Sequence, residues 1–187
     1  MRRTLGVMVL GCLLAAGCGD SRAPVPSLTR PAPAHGYRTV HFTDAGVSIA
    51  SPAGWSPIAE RPPLSTAVTS GDAVIALWRY PRRQPPPASP AALGEARASL
   101  VAAVRARERS VRVISARTAR IDGSPAIELS ALETIGGHPR QVLSTHLFTD
   151  RGEVVLEEYA PPAIFRAIGG SLFARVRRSL TVTGGNG

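Results

Sequence analysis

Lysine is absent from this 187-residue chain, and all 22 of its basic residues are arginine. The absence excludes a complete phosphate-binding P-loop, a Ser-x-x-Lys nucleophile and a Schiff-base lysine. Cysteine is nearly absent, with Cys12 and Cys18 alone. Cys12 falls in a segment expected to be removed, and Cys18 is expected to be modified. The rest of the chain then has no thiol nucleophile and no disulfide, and packing must hold its core. No apolar run reaches the ~18 residues of a membrane-spanning helix. Of four histidines, His41, His138 and His146 fall in the foldable region. None has a second His or a Glu at metal-ligand spacing, so no metal and no cofactor are expected. A nucleophile elbow is missing as well: Gly54-Trp55-Ser56 begins one, but Ile58 stands where the closing glycine belongs.

The beginning of the chain has the three parts of a secretory signal. Arg2 and Arg3 are its positive start, Leu5 to Leu14 its apolar run, and Ala15-Ala16-Gly17 its small residues. Leu14-Ala15-Ala16-Gly17-Cys18 resembles the lipobox of bacterial lipoproteins, with Ala15 where that pattern usually has Leu. The resemblance implies cleavage between Gly17 and Cys18 and acylation of Cys18. Diacyl or triacyl attachment gives stable anchoring. The expected organisation is a signal peptide at 1–17, an acylated and Pro-rich tether at 18–36, a folded domain at 37–184 and a tail at 185–187. Pro24, Pro26, Pro31 and Pro33 make the tether extended and unable to form a core. His35 reads as a solvated residue within it.

The formal net charge is +9. Loss of the leader leaves 20 arginines against 13 acidic residues. Such a surface favours anionic headgroups or acidic envelope polymers, but in a lysine-free chain it reads first as solvated.

Periodicity predicts an α+β domain with an antiparallel sheet flanked by helices. Tyr37 to Phe42 and Val47 to Ala50 form a hairpin about Asp44-Ala45-Gly46. Thr66 to Thr69 and Ala73 to Tyr80 form another, whose second strand is apolar on both parities and so covered on both faces. Ser89-Pro90 starts a helix running to about Glu108, with Leu93, Ala96, Leu100, Val101 and Val104 on one stripe. Four strands follow at 111–121, 126–135, 140–149 and 153–159. A final helix spans 163–179 and is split at Gly169-Gly170.

The run Phe42-Thr-Asp-Ala-Gly-Val-Ser-Ile, then Pro52-Ala-Gly-Trp55, resembles the start of the PsbP-like superfamily. Asp122-Gly123-Ser124-Pro125-Ala126 before a strand and Ser171-Leu-Phe173 in the closing helix fit as well. That superfamily includes the LpqN-type lipoproteins and the DcrB-like envelope proteins. The resemblance covers about Tyr37 to Val182. It implies an α/β/α sandwich that binds or assembles without catalysis, and it carries no shared catalytic set.

The expected function is therefore a non-enzymatic binding or assembly module of the cell envelope. It would be held on the extracytoplasmic face of a membrane through the acyl chains on Cys18. The expected partner is an envelope protein or an amphiphile, and not nucleic acid. Trp78, Arg79, Tyr80, Arg82 and Arg83 are the candidate binding patch, because arginine beside aromatics can hold an anionic headgroup or an acidic partner. One alternative is a carrier or sensor of an amphiphilic or anionic ligand, with a cavity between sheet and helix near the Pro-rich loop at 81–90. The third is a hydrolase, which needs His41 or His146 in a cleft beside a serine and a carboxylate. Glu153, Glu157 and Glu158 are expected to be solvent or rim residues.

Overall fold

The computed structural model describes residues 30–107 and 110–183. Gly17 and Cys18, the leader, most of the tether, Glu108, Arg109 and the tail at 185–187 lie outside the described residues.

The described elements run β1 (Tyr37–Phe42), β2 (Val47–Pro52), β3 (Ser56–Ile58), β4 (Leu64–Ser70), β5 (Ala73–Tyr80), α1 (Pro90–Arg107), β6 (Arg112–Ile121), β7 (Ser124–Ile135), β8 (His138–Thr149), β9 (Gly152–Ala160), α2 (Pro162–Ile168), α3 (Ala174–Arg178) and β10 (Thr181–Val182). A π-helical turn, Gly169–Phe173, joins α2 to α3 at the predicted Gly-Gly split. Seven strands form one antiparallel sheet in the order β3-β4-β5-β9-β8-β7-β6, and β1-β2-β10 form a smaller one.

The turns explain the meander. Asp122 and Gly123 both take positive φ, 47° and 78°, as do Gly136 and Gly137, at 58° and 80°. Two consecutive left-handed residues match the right-handed twist of flanking strands. Asp122 also accepts the Val182 backbone N–H at 2.9 Å, which ties β10 to this turn.

Three layers result. On one face of the large sheet, α1 packs Leu93 against Ile127 and Phe148, with Ala96 and Leu100 beside them. Its start is capped by Ser89 Oγ, which accepts the Ala92 N–H at 3.1 Å. On the other face, Phe165, Phe173, Val176 and Leu180 meet Val47, Ile49, Leu77 and Leu156. The Phe165 and Phe173 rings stand 5.3 Å apart. Burial of each such side chain contributes about 1.5–3 kcal/mol. As its pattern predicts, β5 lies inside the sheet with Ile75, Ala76 and Leu77 all buried.

Residues 30–36 lie against the domain. The Ala32 N–H donates to Ser70 Oγ at 2.8 Å, and Trp55 Nε1 donates to the Ala32 carbonyl at 3.3 Å. The His35 N–H donates to the Ala53 carbonyl.

One expectation is corrected. Glu158 is 0% exposed, so it is neither a solvent nor a rim residue. Strand alternation turns it into the layer between sheet and C-terminal helices, where Arg177 from α3 meets it at 2.6 Å. Glu153 and Glu157 point to the opposite face and are half-buried there.

Candidate functional site

Alternation sorts the polar residues of β5, β9 and β8 into two groups on opposite faces. Trp78, Val155, His146 and Ile127 stand in register across the α1 side of the sheet. Tyr80, Glu153 and Phe148 form the next row, and Ala76, Glu157 and Ser144 the row on the other side. Beside α1, which packs over β6 and β7, these rows form a strip rich in aromatic and acidic side chains.

The strip is joined by hydrogen bonds. His146 Nδ1 donates to Glu153 Oε1 at 2.7 Å, and His146 Nε2 lies 3.2 Å from Ser144 Oγ. Arg82 Nη1 donates to Glu153 Oε2 at 2.9 Å, and the same guanidinium lies 4.9 Å over the Phe148 ring. Trp78 Nε1 donates to Glu157 Oε2 at 2.8 Å. Arg107, at the end of α1, pairs with Glu133 at 3.0 Å on the same side.

The electrostatics follow from burial and partners. Burial raises the Glu157 carboxyl above its ordinary range, although Trp78 donates to it. Burial also raises Glu153, but hydrogen bonds and positive charge from His146 and Arg82 outweigh this and hold it below its ordinary value. Tyr80 is raised by burial and by the charges of Glu157 and Glu153. Tyr159, in the same file, is raised by burial and by Glu157.

The patch expected from the sequence is divided. Trp78, Tyr80 and Arg82 come together on the strip. Arg79 faces the other side of the sheet, and Arg83 is exposed in the loop beyond β5. His146, Ser144, Glu153 and Glu157 were not in that patch. They lie 61 or more residues downstream of it in sequence, and only the β5–β9–β8 register brings them beside Trp78.

Ser144, His146 and Glu153 have the connectivity of a hydrolytic triad. Their setting opposes that chemistry. Ser144 is buried, at 6% exposure. It lies mid-strand, where the continuous ladders to β7 and β9 engage the surrounding backbone N–H groups. No main-chain oxyanion hole is formed there. His41 is exposed on β1. Among the described residues, no three His, Cys, Asp or Glu side chains converge in a metal-binding group.

The opposite face carries a chain of ionisable groups that runs from buried Glu158 to exposed Arg117. Arg177 bonds Glu158 and lies 3.9 Å from Glu128, which accepts from Arg117 Nε at 2.7 Å. Among the described residues, Glu158 Oε1 and Thr145 Oγ1 are buried without hydrogen-bond partners.

An antiparallel sheet between one long helix and a C-terminal helical layer defines a PsbP-like α+β fold, with polar strips on both faces of the sheet. Cyanobacterial PsbP (CyanoP) from Synechocystis shares it with a TM-score of 0.59 and 15% identity, over 79% of this chain and 92% of that one. LpqN of Mycobacterium tuberculosis, involved in cell envelope biogenesis, matches with a TM-score of 0.52 and 14% identity, over 79% and 91%. The Ran-binding protein Mog1p of Saccharomyces cerevisiae matches with 0.52 and 10%, over 78% and 95%. No protein-family model and no curated protein matches the sequence. Among the described residues, no helix is long and apolar enough to cross a membrane.

Proposed function

We propose that this chain is a lipid-anchored binding module of the cell envelope, extracytoplasmic and non-enzymatic, whose recognition surface is the strip beside α1. The observation that carries the proposal is the commitment of the strip's polar side chains to one another. Arg82, Glu153, His146 and Ser144 form one connected series, and Trp78 is fixed on Glu157. A surface held this way is ordered before a partner arrives, which lowers the entropy cost of binding. Tyr80, 41% exposed, and half-buried Trp78 supply the amphipathic aromatic anchors that dominate interfaces. The fold supports the reading, since it also serves an envelope protein in LpqN and a Ran-binding protein in Mog1p. The anchor rests on Leu14 to Cys18.

Two measurements test it. In host cells fed an alkyne fatty acid, the wild-type chain is expected in the membrane fraction and labelled, with Cys18→Ser unlabelled and released. A soluble, unlabelled wild type overturns the anchor. A photo-crosslinking residue at position 80 is expected to trap an adduct of defined mass, whereas one at Ala163, on α2 across the sheet, traps none. No adduct from position 80 overturns the recognition surface.

A further inference from the structure

Arg79 is left out of the strip. The alternation of β5 sends it to the other face, where it lines a cavity of about 470 Å³ between the β1–β2 turn and the segment leading into β4. Phe42, Pro62, Pro63 and Leu64 give this cavity apolar wall, and Asp44 lies on its lining. The size is that of a small-ligand site.

Arg79 is incompletely satisfied. Arg82, Arg107, Arg117, Arg140 and Arg177 each pair with a carboxylate. Among the described residues, Arg79 pairs with none. Its side chain makes one long hydrogen bond, Nη2 to the Arg151 carbonyl at 3.4 Å, and its Nε is buried with no acceptor. An orphaned buried donor costs about 1–3 kcal/mol, and more on a charged group. The fold nevertheless holds it there, because the Arg79 N–H donates to the Pro63 carbonyl at 2.9 Å and fixes strand and wall together. The neighbouring Arg151, on the β8–β9 turn, lines a separate pocket. Arg151 donates to the carbonyl of Thr43, a lining residue, while its side chain lies close over Gly46.

We propose that this cavity binds a small amphiphile with an anionic head, a carboxylate or a phosphate ester. Arg79 holds the head, and the apolar body lies against Phe42, Pro63 and Leu64. A guanidinium without a carboxylate partner suits such oxygens because it offers several N–H donors and a permanent charge. Asp44 opposes the head's charge and so limits affinity. The site faces away from the α1 strip and does not depend on it or on the anchor.

The test is calorimetric titration of the full chain carrying Cys18→Ser with hexyl phosphate, hexanoate, hexanol and inorganic phosphate. Hexyl phosphate and hexanoate are expected to bind at least roughly tenfold tighter than hexanol. Arg79→Gln should remove that advantage, Asp44→Asn should increase it, and Arg97→Gln, exposed on α1 across the sheet, should leave it unchanged. The increase in Asp44→Asn, at an exposed lining residue, serves if Arg79→Gln does not fold. Hexanol binding as well as the two anions overturns the proposal, as does full affinity in Arg79→Gln or an unchanged affinity in Asp44→Asn. Inorganic phosphate binding as tightly as hexyl phosphate also overturns it, by making this a free-anion site.

Discussion

Burial holds the Glu158 carboxyl up to about 8, against an ordinary 4.5, despite the charge of Arg177 beside it. Across that window the folded chain keeps a proton that the unfolded chain has lost. Stability must therefore fall as pH rises from about 4.5 to 8, and level off above it. Glu157, also raised, acts in the same direction. Glu153 is lowered, so its contribution is lost only as pH falls below the ordinary carboxylate range. Thermal unfolding followed by circular dichroism should show a midpoint that declines from pH 5 to pH 8.5, with a flatter decline in Glu158→Gln. An unchanged slope in that variant would refute the role given to Glu158. On the other face, hydrolysis of p-nitrophenyl acetate should match the buffer rate in wild type and in Ser144→Ala alike. A wild-type rate above buffer that Ser144→Ala abolishes would turn the Ser144–His146–Glu153 series into a working triad. Trp78, Tyr80 and Arg82 could be marked from sequence, because they are close together and chemically distinctive. Glu157 and His146 could not, because their significance lies in which strand stands next to theirs.

At the scale of elements, the close approach of Gly152 controls one end of the strip. Its φ is +129°, and a Cβ placed there would lie 2.6 Å from the Tyr80 carbonyl oxygen. Gly152→Ala should cost on the order of 1–3 kcal/mol in urea unfolding. It should also reduce the crosslink from position 80, because the end of β5 must move. Ser89→Ala should cost about 1 kcal/mol through loss of the α1 cap. These two sites show what local chemistry can signal. Ser89-Pro90 announces a helix start and Asp122-Gly123 a hairpin, since each residue type satisfies a specific backbone requirement. β3 and β10, at three and two residues, are too short to carry a period. They exist because β4 and β2 offer them unpaired edges.

At the scale of the molecule, the chain closes on itself at β10. Thr181 and Val182 pair with Ser48 and Val47, and Thr181 Oγ1 shares a hydrogen bond of 2.7 Å with Ser48 Oγ. Removing residues 181–187 should lower the midpoint of thermal unfolding by about 2–4 °C for each kcal/mol lost. Calorimetry that finds no decrease would show that β10 contributes nothing to the small sheet. The sequence by itself determined the class of the fold, its hairpins and its long helix. Periodicity and turn residues are local properties that need no knowledge of neighbours in space. Only the tertiary structure decided that Glu158 is buried on Arg177 and that a cavity with both apolar and polar lining forms beside Arg79. Those outcomes depend on strand register and on which layer covers each face, and register is set by contacts between residues far apart in the chain.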